Sequence, residues 1–221
     1  MKNSYSLLRY CVIALLGYWV IGLTACGRRE IKNINSFGTN IICFGDSITL
    51  GYGANPAEDY PARLGQMLKL PVINAGIDGD TTSEALRRLD SDVLERNPLL
   101  VIIEFGGNDF LRKVPIQITL KNMKEMIEKI QTKGAMVAVV DISSGMFLKD
   151  YAKGFAQLAK EKEAIFIPGV LAGIITNPAL KSDFIHPNAA GYQLIAQRIY
   201  RAILPYLNQN SLKKKFSRES Y

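Results

Sequence analysis

The run Leu99-Leu100-Val101-Ile102-Ile103-Glu104-Phe105 constrains this chain more than any other stretch. A nearly unbroken apolar run of that length, rich in β-branched residues, reads as a strand covered on both faces. Strands of that kind belong to parallel sheets with helices packed on either side. The run empties into Gly106-Gly107-Asn108-Asp109, a turn signature. Shorter apolar runs repeat the pattern: about Asn40 to Gly45, Pro71 to Ala75, Ala135 to Val140 and Ala164 to Ile167.

Segments with helical spacing lie between these runs. Asp59 to Leu70 predicts a helix starting near Pro61, and Ser83 to Glu95 one whose start is marked by Asp80, Thr81 and Thr82. Ile116 to Thr132 places Leu120, Met123, Ile127 and Ile130 on one face. Tyr151 to Lys162 and about Asn188 to Leu207 complete the set. Strict alternation of strand and helix predicts a three-layer α/β/α domain around a parallel, flavodoxin-like five-stranded sheet. In such sheets ligands bind beyond the carboxyl ends of the strands.

The net charge of +7 suggests a basic partner until it is divided along the chain. Lys2 and Arg9 account for two of these charges, and the last eleven residues for three, which leaves the central domain at +2. A nucleic-acid partner is therefore not expected. The basic ends have their own readings. Lys2 and Arg9 precede an uncharged stretch from Tyr10 to Gly27, which fits a targeting signal over residues 1–25. Leu23-Thr24-Ala25-Cys26 resembles the bacterial lipoprotein signal, in which the cysteine is lipidated and becomes the mature N-terminus. That reading makes Cys26 a membrane anchor in the cell envelope, residues 26–39 a polar tether, 40–208 the folded domain and 209–221 a basic tail. An ordinary secretory signal and an uncleaved anchor are the alternatives. Cys11 lies in the signal, so only Cys43 remains for the domain, and it sits in an apolar run as a small hydrophobe does. No disulfide, metal or other cofactor is expected, and a monomer is.

Chemistry concentrates in four places. Ser47 follows the first strand in Phe44-Gly45-Asp46-Ser47-Ile48-Thr49. A serine nucleophile needs a base, and His186 is the only histidine in the chain. Asp183, three residues earlier, can accept the second ring proton and fix the tautomer. Pro187 disfavours a helical backbone at His186 and suits the first helical position after it, so the histidine is expected on a loop. An oxyanion needs donors, and the backbone amides of Ser47 and Gly79 with the side-chain amide of Asn108 can supply them. Singly, each of these residues also fits a cap or a turn.

Together the four blocks resemble those of the SGNH (GDSL-type) hydrolases. Asn74 to Thr82 and Glu104 to Asp109 are similar to the thioesterase I/lysophospholipase/arylesterase branch. The serine stands in Gly-Asp-Ser-Ile-Thr and not in the Gly-x-Ser-x-Gly of α/β-hydrolases. The resemblance implies a metal-free serine esterase acting on small-molecule or lipid esters or thioesters. Met146-Phe147-Leu148 and Val170 to Ile175 could line an acyl groove, or could simply pack the core. A carbohydrate or peptidoglycan O-acetylesterase, and a surface lipoprotein that binds without turnover, are the competing readings.

Overall fold

The computed structural model describes residues 30–143 and 148–210. A compact unit begins at Ile31. Five parallel strands form its sheet: β1 Asn40–Gly45, β2 Val72–Gly76, β3 Pro98–Glu104, β4 Met136–Val140 and β5 Ile165–Ile167. Their order is β2-β1-β3-β4-β5, the flavodoxin-like arrangement. The chain moves outward from β1 to β2 and then returns across β1 to β3. The crevice at this reversal therefore opens between the carboxyl ends of β1 and β3.

Strand periodicity sorts the core into two faces. Ile41, Cys43, Leu100, Ile102, Met136 and Ala138 pack with helices α2 (Tyr60–Leu68) and α7 (Ala189–Gln209). Their neighbours Ile42, Phe44, Val101, Ile103, Val137 and Val139 pack with α3 (Thr82–Asp92), α5 (Ile116–Thr132) and α6 (Lys149–Glu161). Every residue of β3 is buried, as its composition requires. Side-chain caps begin the helices nearest the crevice: Thr81 and Glu84 form a reciprocal capping box at α3, and Asn188 accepts from Gly191 N at α7.

Two short helices differ from the turns expected of the sequence: α1, Ser47–Leu50, and α4, Gly107–Leu111. Four or five residues are too few to show a helical period. The last helix also starts later than expected, because Asn188 is its cap and Pro187 stands outside it.

The polar stretch before β1 is not a free tether. Ile31 enters the core, Lys32 N donates to Glu163 O at 2.9 Å, and Asn33 Nδ2 donates to the carbonyls of Gln131 and Ala135. Asn33 satisfies backbone carbonyls of buried residues, so its polarity reflects stitching rather than solvation. At the other end Asn210 is buried and donates to Ile34 O and Ser36 O. The folded unit thus extends past the boundaries expected at 40 and 208. Cys26, Met146, Phe147 and residues 211–221 of the basic tail lie outside the described residues.

Candidate active site

Ser47 is the first residue of α1, just beyond the end of β1. Asp46 caps this helix, its Oδ1 accepting from Ile48 N at 3.1 Å. Gly45 has to be glycine: a Cβ there would lie 2.0 Å from Thr49 Oγ1 and 2.7 Å from Glu104 Oε2. That closeness lets the serine turn fold tightly over the end of β3.

His186 reaches this turn from a loop 139 residues later, with Nε2 3.0 Å from Ser47 Oγ. Its Nδ1 lies 2.7 Å from Asp183 Oδ2, and Asp183 Oδ1 accepts from Ile185 N and His186 N at 2.9 and 2.8 Å. Burial works against a charge on Asp183, but the ring of His186 and these two amides outweigh it and hold the carboxyl at about 2. The loop is closed by Ser182 N donating to His186 O and Asn188 N to Leu180 O. Tyr52 stacks on the His186 ring with centroids 4.5 Å apart, and its carbonyl accepts from Tyr192 OH at 2.8 Å. The imidazole is therefore held from two sides.

The expected anion donors sit around the same crevice. Gly79 adopts φ +77° in the turn after β2, a conformation that favours glycine, and its carbonyl accepts from Arg112 Nη2 at 2.8 Å. Asn108 lies in α4, after β3. Its Nδ2 donates to Asp46 Oδ2 at 3.1 Å and to Asp80 O at 3.0 Å. The sequence suggests a free side-chain donor, whereas both hydrogens of this amide are engaged. A substrate oxygen would have to share or displace one of these bonds.

Several residues that the sequence reading passed over hold the three loops together. Arg88 Nε donates to Asp80 Oδ2 at 2.6 Å, Nη1 to Ala75 O and Asp92 Oδ2, and Nη2 to Gly45 O. Its guanidinium also lies 4.4 Å over the Phe44 ring. Asp109 accepts from Thr82 N, Thr82 Oγ1 and Thr119 Oγ1, tying α4 to the start of α3 and to α5. An aspartate beside Asn108 and an arginine on an otherwise amphipathic helix gave no sign of these partners, which lie four to 43 residues away.

Val170, Leu171 and Ile174 are buried in the core. The large apolar side chains left exposed among the described residues are Phe37, Leu50, Tyr52, Ile77, Phe110, Leu111, Ile118, Phe184 and Ile185. Seven of these nine belong to the segments that carry Ser47, Gly79, Asn108 and His186.

Comparison with known proteins agrees with this arrangement. The chain is 31% identical to an arylesterase of Vibrio mimicus, over 76% of this chain and 89% of that one. It is 28% identical to thioesterase 1/protease 1/lysophospholipase L1 of Escherichia coli, over 77% and 86%. The solved structure of the psychrotrophic esterase EstA from Pseudoalteromonas, inhibited by monoethylphosphonate, superposes with a TM-score of 0.70 at 29% identity. That match covers 77% of this chain and 99% of that one. Residues 43–194, more than half of the chain, match the profile of the GDSL-like lipase/acylhydrolase family. With its profile, its relatives and its sheet order in agreement, the chain belongs to the GDSL-like lipase/acylhydrolase family of ester-bond hydrolases.

Proposed function

We propose that this protein hydrolyses carboxylic esters or thioesters through an acyl-enzyme on Ser47, with His186 as base and Asp183 orienting it. The observation that carries the reading is the continuous hydrogen-bond chain Ser47 Oγ–His186 Nε2 and His186 Nδ1–Asp183 Oδ2 at the crevice of the sheet. His186 takes the serine proton as Oγ attacks the carbonyl carbon. It returns that proton to the leaving alcohol or thiol, and then activates the water that releases the acyl group. The amides of Ser47 and Gly79 and the side chain of Asn108 receive the oxyanion.

The apolar rim around the crevice favours an acyl-bearing or lipid ester over the acetylated carbohydrate of the competing reading. Phe184, 88% exposed, and Ile185 stand between Asp183 and His186, and Phe110 and Leu111 lie two and three residues after Asn108. A small polar pocket has no use for such a border. Ester hydrolysis measured along a series from acetate to palmitate tests this. kcat/KM is expected to rise beyond acetate, and a sharp fall above acetate points instead to the acetylesterase. The protein is read as a monomer carried by a lipid on Cys26. Incorporation of labelled fatty acid into the wild type and not into Cys26→Ser is the expected result, and no label on the wild type contradicts it.

A further inference from the structure

The polar groups behind Ser47 continue past Asp46. Glu104 ends β3 with 1% of its surface exposed. Its Oε2 accepts from Thr49 Oγ1 at 2.8 Å, and Thr49 Oγ1 contacts Tyr60 OH, also at 2.8 Å. Its Oε1 is buried and meets no donor. Gly45 pairs with Glu104 across β1 and β3, which sets the carboxyl of Asp46, itself buried, beside the Glu104 carboxyl.

Two ionised carboxylates cannot share a hydrogen bond, and out of water their like charges repel strongly. The pair must hold a proton, and the surroundings decide where. Asp46 already accepts from Ile48 N and from Asn108 Nδ2, both of which favour its charged form. Thr49 Oγ1 and the Asp46 amide favour a charge on Glu104, but its Oε1 makes no hydrogen bond and is the place for an acid hydrogen. Burial first, and then the charge of Asp46, push the Glu104 acid well above the usual carboxylate range. The other groups acting on this cluster do not reverse the assignment. Cys43 and Tyr60 are themselves pushed upward, by burial first and then by acidic neighbours that include Glu104. Burial first, with Asp78 adding to it, raises the Asp46 carboxyl to about 6, while Ile48 N and His186 favour its charge, so at neutral pH it is Asp46 that is ionised.

We propose that Glu104 is a positioning residue that keeps its proton at neutral pH and donates it from Oε1 to the Asp46 carboxylate. With that bond made, Asp46 is fixed as an acceptor for both Ile48 N and Asn108 Nδ2. One buried proton thereby sets the serine turn and the Asn108 amide in register. The role of Asn108 in turnover rests on the proposed hydrolase reading, but the location of the proton does not.

The test therefore has an arm without catalysis. Infrared spectra of the full chain above neutral pH are expected to show the carbonyl stretch of a protonated carboxylic acid, and Glu104→Gln is expected to lose it. As pH rises between about 5 and 8, the wild type is expected to lose stability relative to Glu104→Gln, because unfolding then releases the held proton. A carboxylic-acid band that persists in Glu104→Gln, or its absence from the wild type, overturns the proposal, as do parallel stability profiles. In the kinetic arm, Glu104→Leu lowers kcat by about ten- to hundredfold with KM little changed, the scale of one hydrogen bond to a charged group. Glu104→Gln, which still presents an N–H to Asp46, restores most of that loss. If the spectroscopic arm holds while every variant and the wild type are inactive, the hydrolase reading fails and the proton assignment stands.

Discussion

At the scale of the residue, what distinguishes this site is how many of its polar atoms are already engaged. Asn108 illustrates the point, since its amide is spread between Asp46 and Asp80 in the absence of substrate. These bonds fix the amide in place, so a developing oxyanion shares or displaces one of them rather than meeting a loose side chain. Asn108→Ala is expected to lower kcat by about 10²- to 10³-fold while KM changes little, the pattern of an interaction made in the transition state. Steady-state kinetics on a soluble ester checks it, and a change confined to KM would assign Asn108 to substrate binding alone. Asp183 and Glu104 show how two carboxyls near one serine take opposite states. Asp183 receives two amides and an imidazole, which outweigh its burial. Glu104 is sealed away beside another acid.

At the scale of the element, the crevice is a consequence of strand order. Reversal at β1 leaves the loops after β1, β2 and β3 side by side, and Arg88 from α3 bonds to the first two of them. Removing the guanidinium leaves Asp80, Asp92 and two carbonyls without it, so Arg88→Met is expected to cost about 2–4 kcal/mol of stability. Chemical denaturation measures this, and a change below about 0.5 kcal/mol, the scale of an ordinary surface substitution, would show that the loops hold without it. Much of this layer was legible from sequence. The run around Val101 could only be a central strand, and α5 keeps the bounds that its periodicity predicts. The residues around the site that were legible are those whose chemistry is local: a serine on a glycine turn, a lone histidine, an aspartate three residues before it. Arg88, Asp109 and Glu104 were not, because each takes its meaning from a partner far along the chain. The stretch from Ile31 to Gly38 misled for a related reason, since an asparagine that stitches carbonyls is composed like one that faces water.

At the scale of the molecule, the described chain enters and leaves at the edge opposite the site. Asn33 bonds to carbonyls just before β4, and Asn210 bonds to Ile34 and Ser36, whereas Ser47 and Asn108 stand beyond the carboxyl ends of β1 and β3. A seven-residue strand such as β3 separates these edges by about 23 Å. The response of the whole fold to pH follows from the two carboxyls. The folded Asp183 sits at about 2, below its ordinary value of 3.8, so its contribution is present above the ordinary value and is lost as pH falls through about 2. Glu104 is raised, so its contribution runs the other way and declines as pH climbs above the ordinary carboxylate range. Thermal unfolding is therefore expected to show greatest stability in mildly acidic solution, at about pH 4–6. A maximum well above neutrality would contradict this balance.

The kinetic predictions all assume that Ser47 is the nucleophile. The direct measurement compares ester hydrolysis by the wild type and Ser47→Ala at equal concentration, with intact-mass analysis after treatment with an alkyl phosphonate nitrophenyl ester, which loses nitrophenolate as the serine oxygen bonds to phosphorus. The expected result is turnover reduced by at least about 10³-fold in Ser47→Ala, and one phosphonyl adduct on the wild type that maps to Ser47 and is absent from the variant. Equal rates in the two proteins, or an adduct on another residue, would contradict it.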